Sequence, residues 1–113
     1  MALYLFAGIP VADFPAALTW YERLLGAPPS SFPHETEAVW QLAQERLIYV
    51  VQRPEHAGHA MLTIIADDLD TRVAEASRRG LEPAKQETYD NGVRKITYLD
   101  PDGNEIGFGC VPS

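Results

Sequence analysis

Residues 98–109 read YLDPDGNEIGFG, and this stretch decides how the C-terminal part of the chain folds. Apolar residues lie on both sides of a central Asp-Pro-Asp-Gly-Asn. Pro101 presets the backbone angle that the second position of a turn requires, and Gly103 permits a positive φ. The Asp and Asn side chains can accept hydrogen bonds from neighbouring backbone N–H groups. The stretch therefore predicts a strand, a tight turn and a second strand.

The region before this hairpin alternates strand and helix patterns. The patterns predict a strand over 60–66, a helix over 68–79 and strands over 81–88, 93–99 and 105–110. Negative charge at the start of the helix and Gly80 after it are typical helix-end signals.

The first half of the chain follows the same order. A strand over 3–11 precedes a helix over 14–25, and strands over 38–42 and 46–52 follow. The prolines between residues 28 and 36 predict an irregular connection. The strand-helix-strands order thus occurs twice, which predicts an α+β fold of two β-α-β-β-β modules in one domain, with boundaries at about 1–54 and 58–113.

Three features together resemble one family. These are the D-P-D-G-N hairpin, the repeated module and the segment WYERLLG at 20–26, which looks like a conserved helix end of that family. The chain is similar to the vicinal oxygen chelate superfamily, which includes glyoxalase I, extradiol dioxygenases and bleomycin-resistance proteins. The resemblance implies a curved mixed sheet and a homodimer whose clefts are built with a second chain.

The resemblance also indicates where a metal would be bound. Its ligand positions lie seven residues before Asp13 and Asp68, and at the residue after Ile106. These positions hold Phe6, Met61 and Gly107 where His, His and Glu are expected. A phenyl ring and a glycine offer no donor, and a lone thioether is a weak ligand. We therefore expect no metal and no cofactor.

One alternative metal site remains open at this stage. Strand alternation places His59 on the same face as Met61, and Glu105 on the same face as Gly107. A shifted site of His59 and Glu105 could then hold an ion, although two donors rarely make a catalytic centre.

Without a metal, the concave face of the sheet becomes a candidate pocket. If Leu99 pairs with Asn104 across the turn, Tyr98 and Arg94 face the same way as Gly107. Aromatic side chains suit flat organic ligands, and glycine in a strand leaves room for one. The expected ligand-binding residues are Phe6, Trp40, Tyr49, Met61, Arg94, Tyr98 and Gly107.

Charge and composition limit the classes of partner that we expect this protein to bind. The net charge of −7 argues against nucleic acid and against an anionic membrane surface. No apolar run reaches the length of a membrane span, no signal-peptide pattern precedes the first strand, and Cys110 is the single cysteine. These features predict a cytoplasmic protein without a disulfide framework.

The resemblance and the missing donors favour one function over another. We expect a metal-free binding protein of the bleomycin-resistance type, acting in antibiotic resistance, that sequesters an aromatic or amphipathic organic molecule in a cleft of a homodimer. The alternative is a divergent glyoxalase- or dioxygenase-like enzyme, a lyase, isomerase or oxygenase, with a non-standard metal site.

Overall fold

Eight strands and two α-helices form the fold of residues 3–112, the part of the chain that the computed structural model describes. The elements, in chain order, are β1 Leu5–Val11, α1 Phe14–Leu25, β2 Ser31–His34, β3 Glu37–Ala43, β4 Arg46–Gln52, a 3₁₀ turn Pro54–His56, β5 Met61–Ile65, α2 Leu69–Arg78, β6 Lys85–Thr88, β7 Arg94–Leu99 and β8 Glu105–Cys110. The order β-α-β-β-β occurs twice, as the sequence predicts.

The strands form two four-stranded mixed sheets. The first has the order β1-β4-β3-β2 and the second β5-β8-β7-β6. In each sheet the first strand lies at one edge and runs parallel to its neighbour, while the other pairs are antiparallel. This arrangement confirms the α+β fold of two modules.

Both helices pack on the same side of their sheets and share one core. Helix α1 is capped at its N-terminus by Asp13, whose carboxylate accepts from the Ala16 N–H at 3.1 Å, and at its C-terminus by Gly26 with φ 76°. Buried side chains from both modules meet between the helices and the sheets. The largest fully buried side chains among them are Tyr21, Tyr98, Ile9 and Ile106. Neither helix of residues 3–112 has the length and apolar character needed to cross a bilayer.

Two local predictions were wrong. The segment predicted as irregular contains β2, Ser31–His34, which pairs with β3 at the sheet edge. Pro33 is tolerated because an edge strand leaves one row of N–H groups without a partner strand. Strand β6 begins at Lys85 rather than at Leu81, whose buried side chain packs in the core outside any strand.

The Asp-Pro-Asp-Gly-Asn turn joins the two modules. Asn104 is fully buried, and its amide donates to the carbonyl of Pro10 at 2.8 Å. Its carbonyl oxygen accepts from the N–H groups of Gly58 at 3.1 Å and Ala60 at 2.9 Å. Asp102 accepts from the Ala12 N–H at 3.0 Å. This turn of the second module is therefore hydrogen-bonded both to the end of β1 and to the residues that precede β5.

Candidate functional site

Each sheet has one face covered by helices and one face that no helix covers, here called the outer face. The outer face of the first sheet carries Phe6, Gly8 and Pro10 on β1, Leu47, Tyr49 and Val51 on β4, and Glu37, Val39 and Gln41 on β3. The outer face of the second sheet carries Met61, Thr63 and Ile65 on β5, Glu105, Gly107 and Gly109 on β8, and Lys95, Thr97 and Leu99 on β7.

Large apolar side chains are exposed on both outer faces. The exposed fraction is 53% for Phe6, 75% for Met61, 61% for Ile65 and 49% for Leu99. Exposed apolar patches of this kind mark surfaces that bind a ligand or another protein. Phe6 and Met61 therefore lie on open sheet surface, and their role in binding a ligand stays a prediction.

Tyr49 lies across Gly8 on the first outer face. A Cβ atom at position 8 would collide with the Tyr49 ring, so glycine is what lets the phenol lie flat on β1. The rings of Tyr49 and Phe6 lie with their centroids 6.0 Å apart and tilted by 51°. Together the two rings form an aromatic surface on strands β1 and β4.

Gly107 holds the corresponding place on the second outer face. Tyr49 pairs with Gly8, two residues after Phe6, and Gly107 pairs with Thr63, two residues after Met61. A Cβ atom at position 107 would lie 2.9 Å from Cε of Lys95. The space beside Gly107 is thus covered by the flexible stem of a lysine.

Sequence reasoning missed Lys95 because the predicted register of the last hairpin was wrong by one residue. Leu99 pairs with Glu105, not with Asn104. A shift of one residue moves every side chain of a strand to the other face. Lys95 therefore shares the outer face with Gly107, whereas Arg94 and Tyr98 point to the helices.

Trp40 also lies on a different face of its sheet from the one that the sequence predicts. It pairs with Ile48, while Val39 is the partner of Tyr49, so Trp40 and Tyr49 lie on opposite faces of their sheet. Trp40 is buried, and its indole N–H donates to the carbonyl of Ala27 at 3.0 Å. Its surroundings indicate a role in packing between α1 and the sheet.

Arg94 and Tyr98 have partners on the helix side. Arg94 donates to Asp70 of α2 at 2.8 Å, which lowers the pKa of that carboxyl group and raises the pKa of the guanidinium. Tyr98 is buried edge-on against Phe108, with ring centroids 6.2 Å apart. Burial, and next the charge of Glu82, raise the pKa of its phenol. Of the seven predicted residues, the structure therefore places Phe6, Tyr49, Met61 and Gly107 on outer faces.

The outer-face positions do not fit a metal centre. Phe6, Tyr49, Met61 and Gly107 supply a phenol and a thioether but no imidazole or carboxylate. Glu105 lies beside Met61 through the strand register, yet no group of three or more His, Cys, Asp or Glu side chains converges anywhere in residues 3–112. The donor set gives a divalent ion no complete site there.

Two cavities are present in the described structure. The larger, about 960 Å³, lies mainly on the helix side of the sheets, and its lining includes Leu5 and Ala7 of β1, Trp40 and residues 62–66. The smaller, about 500 Å³, lies on the first outer face. Its lining residues are Gly8, Pro10, Glu37, Tyr49, Val51, Arg53 and His56. Glu37, Arg53 and His56 are site candidates that the sequence did not single out, although strand alternation from Tyr49 and Val51 would have found Arg53.

The family model for the Glyoxalase/Bleomycin resistance protein/Dioxygenase superfamily matches residues 4–108. The chain belongs to this superfamily. A glyoxalase/bleomycin resistance protein from Catenulispora acidiphila is 68% identical over 98% of this chain and 100% of its own, with a TM-score of 0.96.

Structures of lower sequence identity share the fold. A bleomycin-binding protein complexed with bleomycin is 18% identical, with a TM-score of 0.79 over 98% of this chain and 100% of its own. A bleomycin resistance determinant encoded on the transposon Tn5 is also 18% identical, with a TM-score of 0.80 over 99% of this chain and 100% of its own. A search of curated proteins gave no match. The superfamily placement confirms the resemblance seen in the sequence motifs.

Proposed function

We propose that this glyoxalase/bleomycin-resistance superfamily protein binds a small organic molecule, without transforming it, in a cleft between the outer faces of two chains. The observation that carries the proposal is the uncovered apolar surface on both sheets, with Phe6 and Met61 largely exposed at corresponding positions. Burying such side chains stabilises a complex by about 25 cal/mol per Å² of apolar surface removed from water.

A second chain can turn the two faces into one cleft. Strands β1 and β5 are both edge strands, and a free edge can pair with a strand of another chain. Pairing β1 of one protomer with β5 of its partner would place Phe6 and Tyr49 beside the partner's Met61 and the partner's Gly107. Twofold symmetry then produces two equivalent clefts in a homodimer.

Two observations support a binding role over catalysis. The outer-face residues at the metal-ligand positions are poor donors, and in residues 3–112 no cluster of metal-binding side chains replaces them. One structural relative holds bleomycin, and another is a bleomycin resistance determinant. A role in antibiotic resistance by sequestration, in the cytoplasm, is the form of the proposal that agrees with both.

The test is a thermal-shift screen of aromatic antibiotics and metabolites, followed by titration of any ligand found against Gly107→Phe. The added ring displaces the flexible Lys95 stem and fills the second outer face, so we expect affinity to fall by about tenfold or more. Ala74→Phe, which adds the same ring to the exposed surface of α2, is the matched control. Unchanged affinity in Gly107→Phe, or a screen without any ligand, would contradict the proposal.

A further inference from the structure

The smaller cavity has a floor of sheet residues and charged groups around it. Pro10 of β1 pairs with Val51 of β4, and Glu37 of β3 pairs with Val51 on its other side. The ring of Tyr49 stands one row along the same face, over Gly8. Arg53 follows β4 and, with His56 of the 3₁₀ turn, lines the cavity beyond the end of the strand. The volume of about 500 Å³ lies within the range of small-molecule sites.

Opposite charges line this cavity without pairing. Glu37 lies on β3, whereas Arg53 and His56 lie in the segment that follows β4. Among residues 3–112, none of these three side chains takes part in an ion pair within 4.0 Å. A carboxylate and a guanidinium that line one cavity but do not neutralise each other can each bind a group of the opposite charge on a ligand.

The remaining surface of the cavity is apolar and aromatic. Pro10, Val51 and the face of Tyr49 offer a flat surface that leads toward Phe6. Such a surface accepts a planar or branched apolar group. The cavity therefore combines one anionic group, a cationic and hydrogen-bonding pair, and an apolar floor.

We propose that this cavity binds the zwitterionic head of a small molecule with an ammonium and a carboxylate on neighbouring atoms, as in an α-amino acid with an aromatic side chain. Glu37 accepts hydrogen bonds from the ammonium group, and Arg53 donates a pair of hydrogen bonds to the carboxylate with His56 beside it. The aromatic group of the ligand lies against Tyr49. This inference rests on the proposed function, because it names the ligand class of the same outer face.

The experiment compares three ligands by calorimetric titration and by NMR. L-Phenylalanine carries both charged groups, phenethylamine lacks the carboxylate and 3-phenylpropanoate lacks the ammonium. We expect L-phenylalanine to bind about tenfold or more tightly than either analogue, because each charged hydrogen bond contributes separately. The largest amide shifts are expected at Gly8, Val51 and Arg53.

Two variants test which residue binds the carboxylate of the ligand and which binds its ammonium group. Arg53→Gln should remove most of the difference between L-phenylalanine and phenethylamine, and leave the preference over 3-phenylpropanoate. Glu37→Gln should do the reverse. The controls remove the same charges outside the cavity: Arg78→Gln on the exposed surface of α2, and Glu55→Gln in the exposed 3₁₀ turn.

The outcomes separate this inference from the proposed function. Equal affinity for the three ligands, equal weakening of all three by both variants, or no binding of L-phenylalanine at about 10 mM would overturn the zwitterion site. If an uncharged aromatic ligand still binds and Gly107→Phe abolishes that binding, the proposed function stands while this inference fails. If L-phenylalanine binds with the charge pattern above but is insensitive to Gly107→Phe, the cavity acts within one module and the shared cleft is wrong.

Discussion

Two buried tyrosines, Tyr21 and Tyr98, differ in whether their hydroxyl groups have a partner. Tyr21 donates to Asp100 at 2.8 Å, and burial together with the nearby carboxylate raises the pKa of its phenol far above the usual value. The same carboxylate accepts from Asn104 at 2.8 Å, so the Tyr21 hydroxyl is part of the hydrogen-bond network of the turn that joins the modules. The hydroxyl of Tyr98 has no partner in the described structure.

We expect the two Tyr→Phe substitutions to have opposite effects on stability. Tyr21→Phe removes one of the donors to the buried Asp100 carboxylate, which keeps its bonds from Asn104 and Asp102, and should lower the free energy of unfolding by about 1–3 kcal/mol. Tyr98→Phe removes a buried hydroxyl that makes no hydrogen bond and should be neutral or stabilising by about 1 kcal/mol. Urea unfolding of both variants and the parent measures the difference. A Tyr98→Phe variant less stable than Tyr21→Phe would contradict this account of the core.

At the scale of elements, the connections between strands and helices hold the modules in place. Gly58 and Gly80 both have a positive φ, 93° and 91° respectively, so an alanine is strained at either site. A Cβ atom at Gly58 would lie 2.7 Å from the carbonyl oxygen of Asp102, whereas a Cβ atom at Gly80 meets nothing within 4 Å.

This pair gives a matched test of the junction between the modules. Gly80→Ala should cost about 1 kcal/mol, the strain of a left-handed alanine. Gly58→Ala should cost at least about 2 kcal/mol more, because the backbone of the Asp102 turn must move as well. Thermal unfolding measured by circular dichroism compares the two. Equal losses would show that the loop moves away from the turn without resistance.

Elements were easier to predict than their pairing. Helical periodicity and end signals located α1 and α2, and alternation located most strands, because these patterns depend on neighbours in the sequence. The register of β7 against β8 depends on the geometry of the turn. There Asp100 pairs with Asn104 through its backbone N–H at 3.0 Å, so the first strand pair is Leu99 with Glu105. This shift of one residue in the register decides on which face of the sheet Lys95 lies.

At the scale of the whole molecule, the proposed homodimer predicts that the outer faces are covered in solution. Met61→Asp adds a charge beside Glu105 on an exposed position, so the isolated fold should tolerate it while the interface should not. Sedimentation equilibrium at micromolar concentration should give twice 12.5 kDa for the parent and a single chain for the variant.

Tyr89→Asp is the control for this test, since Tyr89 is also exposed but lies in the connection between β6 and β7. We expect the Tyr89 variant to remain a dimer. A parent protein that sediments as a single chain would contradict the homodimer, and dissociation of both variants would place the interface elsewhere.

The sequence by itself determined the family, the two repeated modules and the lack of metal donors at Phe6, Met61 and Gly107. These follow from residue identity and local spacing, which the chain carries without folding. Only the tertiary structure decided which side chains share a face: it buried Trp40 and Tyr98 and brought Glu37, Arg53 and His56 around one cavity. The physical reason is that the orientation of a side chain on a sheet alternates with every residue, so it depends on strand register and on the turns that set it, and these are fixed by contacts between distant parts of the chain.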